Sequence, residues 1–396
     1  MLFIAVSLAG LLLLTLSLRL RLRLGLIDYN RWFLDSYAVL ASSDAAMAGM
    51  RDAHAPNPYD VLNRPNSYSD WWLVLGRLGL TREDNFLVGG GWVLAFLAAV
   101  FLTLRPRTWG EAVWLALLTA SPPVMLGVIR ANNDLAVFAV LAAVVLALRT
   151  FAIWRLALAL AAISLATGLK FYPAAAAAVF LLIPQPRRML AAVGCAIVVV
   201  GGVLVSVFDQ LERGAFAVGQ QLHVMGGRIW PDNLGMAEQP GAAFALGLFG
   251  MAAVALAWRG WTSGLAAPEE ELESRVAMVL AGSVLAACFL GTINHAYRWV
   301  FALWLAPWLW RKRGEQGAAM TAVWLLPFVL WHDSLLCLAL SGWFPNLEAG
   351  QYDRILRWWW LGTEPFTWLL MCLLGGWLGN LALTRLRDVR EGIFQK

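Results

Sequence analysis

Long apolar runs separated by short polar stretches dominate the chain. A helix that crosses a bilayer needs about 20 mostly apolar residues. Runs of this kind fall at 2–24, 86–104, 112–129, 134–148, 155–169, 172–184, 189–208, 241–258, 275–291, 298–310, 318–342 and 365–384. The pattern predicts an all-α, polytopic integral membrane protein of about twelve transmembrane helices forming one domain over 1–396. Several runs are short, which predicts helices that tilt, break or stop in a protein-lined cavity rather than in lipid.

Placing the short loops alternately on two sides sorts the basic residues. One set holds Arg105 and Arg107, Arg149 and Arg155, Arg187 and Arg188, Arg259, the Arg311–Arg313 run and the tail TRLRDVREGIFQK. The other holds 25–85, 130–134, 170–171, 209–240, 292–297 and 343–364. The first set is the more basic and is assigned to the cytoplasm. Three long segments, 25–85, 209–240 and 343–364, then become extracytoplasmic loops, and they are rich in Trp, Tyr, Asp, Asn and Gly. Long irregular loops carry function more often than tight turns do, so the working face is expected outside. Arg19, Arg21 and Arg23 break the rule at the outer end of the first helix. Lining a polar cavity and contacting lipid phosphates are both open for them.

Composition agrees with a membrane chain. Hydrophobic residues make up 60% and charged residues only 14%, against roughly 25% charged in soluble domains. The 22 Trp suit a protein with many residues at headgroup depth. The net charge of +5 is dispersed singly between apolar runs, which excludes a nucleic-acid footprint. Cys195, Cys288, Cys337 and Cys372 lie inside apolar runs without CxxC spacing, so neither a zinc site nor a disulfide framework is indicated. The N-terminal run lacks a basic leader and a small-x-small cleavage site, so an uncleaved first helix is expected. There is no P-loop, no GxGxxG after a strand and no GxSxG elbow, which removes soluble-type nucleotide chemistry. Nor is there a long internal repeat with matching broken helices, as an inverted-repeat transporter would have. The Ala, Leu, Gly, Trp and Arg content suggests a GC-rich bacterium, hence a bacterial plasma membrane with the active face extracytoplasmic.

Polar residues gather on the outer side. Asp28 and Asp35 follow the first helix in GLIDYNRWFLDSY, and Tyr59 and Asp60 end the NPYD stretch ahead of RPNSYSDWW. Aromatic residues close to Asp and Asn suit a site that stacks on a sugar ring and bonds its hydroxyls; an amphipathic interfacial helix from about Asn30 to Met50 followed by turns is the plainer reading. In IRANNDLAVF, Asn132 and Asp134 fit a helix N-cap and first turn, with Asn133 between them. Arg130 is unusual at an outer boundary unless it meets an anion. Lys170 and Tyr172, in GLKFYP, sit at another outer helix end, where Lys170 either snorkels or joins Arg130 in a phosphate clamp. His223 and Arg228 lie in 209–240, and His295, Tyr297 and Arg298 open INHAYRWVF. One such cluster would be ordinary; five on one side predict a polar cavity opening outward.

An Asp after the first helix, an aromatic-rich loop ending in NPYD, an outer NND helix start and a later LKFYP together resemble one group. The chain resembles the GT-C superfamily of membrane glycosyltransferases, in particular the polyprenol-phosphate-mannose-dependent mannosyltransferases. The resemblance is specific over 28–72, 129–136 and 168–173. It implies transfer of a hexose such as mannose from a polyprenyl-phosphate sugar to a hydroxyl of a lipid or glycan acceptor, with an aspartate of the first outer loop as general base. Asp28 matches by position and by Trp32 four residues on; Asp35 matches by its distance to Gly49 and by Tyr37 nearby. Asp28 is favoured. Arg130, Lys170, Arg228 and Arg298 are the cations available to a leaving phosphate. No cofactor is implied and no metal is predicted, although Asp with Asn could hold one divalent ion. The alternative is a transporter or flippase for a lipid-linked saccharide, which would need polar residues along a path through the bilayer.

Overall fold

The computed structural model describes residues 2–26, 32–50, 55–66, 68–208, 223–227, 229, 272–291, 294–314, 317–343 and 349–394. Within these the chain is almost wholly helical. The helices are α1 (Leu2–Leu16), α2 (Leu18–Arg23), α3 (Leu34–Met47), α4 (Val74–Arg77), α5 (Asn85–Thr103), α6 (Trp109–Thr119), α7 (Pro122–Arg130), α8 (Asn133–Ala147), α9 (Ile153–Leu169), α10 (Pro186–Ser206), α11 (Leu272–Gly291), α12 (Ala306–Lys312), α13 (Gly317–Trp343) and α14 (Ala349–Phe394). Stretches Tyr172–Leu182 and Ala296–Trp304 are 3-10 helices. The strand pair β1 (Val224–Met225) and β2 (Asn294–His295) runs antiparallel, with Val224 opposite His295.

Five helical stretches among the described residues are long and apolar enough to cross a membrane, namely Arg82–Thr103, Pro186–Ser206, Leu272–Leu290, Gly317–Ser341 and Arg354–Glu391. A sixth arises if α6 and α7, bent by 51°, count as one crossing. The protein is an all-α membrane protein, and its described residues hold fewer full-length spans than the apolar runs suggest. Breaks account for much of the difference. Ser17 ends α1, and its side chain accepts from the Leu20 N–H to start α2. Pro122 and Pro123 restart the chain after Ser121, as proline favours a first helical turn. The 172–184 run winds as a 3-10 helix of 11 residues, whose rise of about 2.0 Å per residue carries it further than an α-helix of equal length. The 241–258 run lies outside the described residues.

Two of the segments assigned to loops hold helices, one of them expected. The helix expected from about Asn30 to Met50 within 25–85 is α3, and its residues from Leu34 to Ser43 are mostly buried rather than spread on an interface. Residues 349–364, expected in the loop 343–364, form the first turns of α14. They are amphipathic rather than uniformly apolar, so hydropathy misses them, while Leu356 and Trp360 pack on Leu336 and Leu340 of α13. The 209–240 loop is described only at 223–227 and 229.

The core is one apolar cluster threaded by aromatics. Phe138 and Trp304 stack with centroids 3.8 Å apart, and Phe301 and Tyr172 continue the column. The Trp304 indole donates to Thr103 Oγ1 at 2.9 Å, so this fully buried indole is satisfied.

The arginine-rich loops meet at one end. Arg311 pairs with Glu111 at 2.9 Å and donates to Ser274 and to the Arg105 carbonyl. Arg149 forms a two-bond pair with Glu273. Helices α6–α7, α8 and α9 run from that end to Arg130, from Asp134 and to Lys170 respectively. The second polar group therefore lies at the opposite end of the bundle.

Candidate functional site

Four helix ends build this second group. Helix α7 stops where Ala131 turns left-handed at φ 42°, and α8 starts two residues later. Asn132 caps α8 by accepting from the Asp134 N–H at 2.9 Å, and its amide Nδ2 donates to Asp35 Oδ2 at 2.7 Å. One side chain thus closes a helix and reaches across to another element. Arg130 at the α7 C-terminus and Asp134 in the first turn of α8 both match their helix dipoles.

Asp35, in the first turn of α3 and 2% exposed, takes a forked pair from Arg130: Nη2 at 2.6 Å and Nε at 2.9 Å. Arg64 Nη1 lies 3.6 Å away. Arg64 itself holds Asp60 through Nε at 2.7 Å and Nη2 at 3.1 Å, and bonds the Leu34 carbonyl at 3.0 Å. Burial alone would raise the Asp35 carboxyl, but Arg130, Asn132 and Arg64 overcome it and hold the group at about 2. Tyr68 is buried near the same charges and is pushed above its ordinary range by burial and by Asp35.

Asp134, fully buried, receives Lys170 Nζ and the Tyr172 hydroxyl on one oxygen. Lys170 follows α9 in extended backbone, and Pro173 sets the following 3-10 helix. The Arg298 Nε stands 3.8 Å from the other Asp134 oxygen, and its guanidinium lies over the Tyr172 ring at 4.7 Å. Lys170 is 5.9 Å from the centroid of the Tyr297 ring, which leans on His295. Burial and then Arg130 depress His295 to about 4, so its imidazole is neutral at pH 7.

The structure brings Asp35, Asp60, Arg130, Asn132, Asp134, Lys170, Tyr172, His295, Tyr297 and Arg298 to this one end. Asn133 is fully buried beside them, and neither of its amide atoms finds a hydrogen-bond partner among the described residues. Tyr59 stands at the edge, with the Arg82 guanidinium over its ring at 4.9 Å. His223 plays a different part. Its N–H donates to Asp333 of α13, its Nε2 bonds the Leu24 carbonyl at 3.1 Å, and its own carbonyl accepts from the Ala296 N–H. It staples β1 to the start of the 296–304 helix instead of facing the charges. Asp28 and Arg228 lie outside the described residues.

Sequence reasoning passed over Arg64, the second guanidinium on Asp35. The signal was present: Arg64 stands four residues after Asp60, a spacing at which a turn lets the two meet. Cys288, buried in α11, also lies within the field of Arg298, which nothing in its apolar run reveals.

Four cations, Arg64, Arg130, Lys170 and Arg298, face three carboxylates, Asp35, Asp60 and Asp134, so the described cluster carries excess positive charge. Arg298 Nε and Nη1 and Asp134 Oδ2 are buried without a hydrogen-bond partner among the described residues. Buried donors on a charged group cost free energy when unmet, and here the 3.8 Å ion pair between Arg298 and Asp134 offsets part of that cost. No three His, Cys, Asp or Glu residues among those described come together as a metal site. Chemically the arrangement suits an anion with several oxygens held between guanidinium, ammonium and phenol donors. The chain matches no known protein-family model, no curated protein and no solved structure.

Proposed function

We propose that the protein is a membrane glycosyltransferase that moves a hexose, mannose in the first instance, from a polyprenyl-phosphate sugar to a hydroxyl of a lipid or glycan acceptor. The observation that carries this reading is the net-positive cluster at one end of a membrane bundle, where Arg298 stands against Asp134 and Tyr172 beside Lys170. A phosphate diester that becomes a monoester gains negative charge on the leaving oxygen. Fixed cations stabilise that charge more in the transition state than in the ground state. In this reading Arg130, Lys170 and Arg298 take this part, and Asn133, Tyr297 and His295 bond sugar hydroxyls. The working end faces the extracytoplasmic side of a bacterial plasma membrane.

The base removes the acceptor proton as its oxygen attacks the anomeric carbon. Asp28 is the first candidate, as the resemblance to the mannosyltransferases implies. Asp35 is the second. Both of its oxygens are engaged by Arg130 and Asn132, and at about 2 it is a weak base. In this arrangement Asp35 positions Arg130.

The test uses the purified full chain in lipid, polyprenyl-phosphate mannose with a labelled sugar, and membrane lipids as acceptors. Transferred label with release of polyprenyl phosphate is expected, and Asp28→Asn abolishes it. If Asp28→Asn and Asp35→Asn both leave turnover intact, the base assignment fails. Labelled donor that crosses sealed vesicles with its sugar–phosphate bond unbroken would favour the transporter reading instead.

A further inference from the structure

The glycosyl-transfer reading makes no use of Arg19 and Arg23, which lie on the more acidic side against the usual charge bias. Helix α2 explains their placement. At 100° per residue, Leu18 and Leu22 form one stripe and Arg19 and Arg23 form the next, about 100° around the helix. Both stripes are exposed: Leu18 is 45% and Leu22 61% accessible, and Leu16 just before them is 70%. Arg19 and Arg23 are exposed as well. Arg21, on the opposite side, is buried and lies over the Trp32 ring at 5.0 Å.

The helix is anchored at the end that holds the charged cluster. The carbonyl of Leu24, which follows α2, accepts from Ser334 Oγ at 2.8 Å and from His223 Nε2. Trp32, under Arg21, stands three residues before Asp35. The exposed arc of α2 is therefore half leucine and half arginine, directly after the apolar helix α1. At headgroup depth such leucines enter the acyl region while arginines beside them reach the phosphate level.

We infer that the exposed Leu18/Leu22–Arg19/Arg23 face of α2 is a binding surface for an anionic lipid, whose phosphate lies between the two guanidiniums and whose acyl chain runs along the leucines. Charge complementarity selects the occupant: a zwitterionic choline headgroup sets a cation against the same arginines, whereas a phosphatidylglycerol headgroup does not. The surface needs no glycosyl transfer, so it stands or falls separately from that activity.

The test is native mass spectrometry of the full chain in detergent, with phosphatidylglycerol and phosphatidylcholine in competition. A juxtamembrane arginine near an anionic headgroup is worth about fivefold in affinity, so the pair gives about twenty- to thirtyfold preference for phosphatidylglycerol. Arg19→Gln/Arg23→Gln is expected to reduce the preference at least tenfold, and Arg19→Lys/Arg23→Lys to keep most of it. Leu18→Ser/Leu22→Ser lowers retention of both lipids, and soluble glycerol phosphate does not compete. An absent preference in the parent protein, an undiminished one in the glutamine variant, or full competition by glycerol phosphate would each overturn the inference.

Discussion

Removing Asp35 should unbalance the charged cluster by an amount that the structure lets us work out. Its carboxyl is held at about 2, against 3.8 ordinarily, by Arg130, Asn132 and Arg64 acting against burial. That difference is about 2 kcal/mol of folding stability at pH 7. The folded-state value is the lower one, so this contribution is whole above pH 3.8 and is lost as the pH falls through about 2. Truncation costs more than this linkage, because Asp35→Ala leaves the buried Arg130 without its forked partner at 2.6 and 2.9 Å. Breaking one side of a buried pair costs about 3–5 kcal/mol. Arg130→Ala should cost a similar amount, since it strands the Asp35 carboxylate. The double variant should then be less destabilised than the sum by about 2 kcal/mol or more. Unfolding in mixed micelles with increasing sodium dodecyl sulfate, followed by tryptophan fluorescence, measures all four corners of the cycle. Additivity within about 0.5 kcal/mol would refute the claim that the two residues form one energetic unit.

Three further outcomes are expected. Arg298→Ala should lower transfer from the polyprenyl-phosphate sugar about a hundredfold, the usual cost of one lost charge-stabilising donor, with Arg298→Lys recovering part; an unchanged kcat for the alanine variant removes Arg298 from the site. Gly168→Ala should displace Trp71, because a Cβ there would meet the indole at 2.4 Å; overpacking of this kind costs about 1–3 kcal/mol, and Trp71→Ala in the same chain should restore most of the melting temperature. His295, at about 4 in the folded chain against 6.5 ordinarily, makes the unfolded chain bind more protons between those values, so stability should rise with pH from 4 to 6.5 and change little above. His295→Gln should flatten that rise in a thermal melt taken at several pH values; an identical slope would place the titration elsewhere.

Some of the site is readable in IRANNDLAVF itself. A polar group between two apolar runs with no room for a loop has to turn the chain, and Asn132 does so as the cap that its residue type and position imply. The same side chain does more than cap, since its Nδ2 donates to Asp35. Lys170 and Arg130, expected as a pair of cations around a phosphate, come to the same end of the bundle. Each cation takes a different carboxylate, Arg130 with Asp35 and Lys170 with Asp134. Spacing along a chain cannot tell which of two acids a given cation meets, because the choice depends on the direction in which each helix end points. His223 shows the same limit: its neighbours in sequence place it in a long outer loop, whereas Asp333 and Leu24, both remote, decide its contacts.

Hydropathy alone determines that the chain enters a membrane as helices, because the bilayer leaves backbone groups no partner but each other. The alternation of basic and polar loops also separates the two ends, which contacts through Arg311 and Arg149 at one end and Asp35 and Asp134 at the other keep apart. Only the tertiary structure decides where the apolar runs break, that 349–364 is helix, and which ion pairs form. Those depend on side chains far apart in sequence, and their energies arise from burial that no local window contains. The two arginines on the exposed face of α2 belong to the same class. Their sequence marks them as an exception to charge bias, and the fold leaves them exposed next to the exposed Leu18 and Leu22.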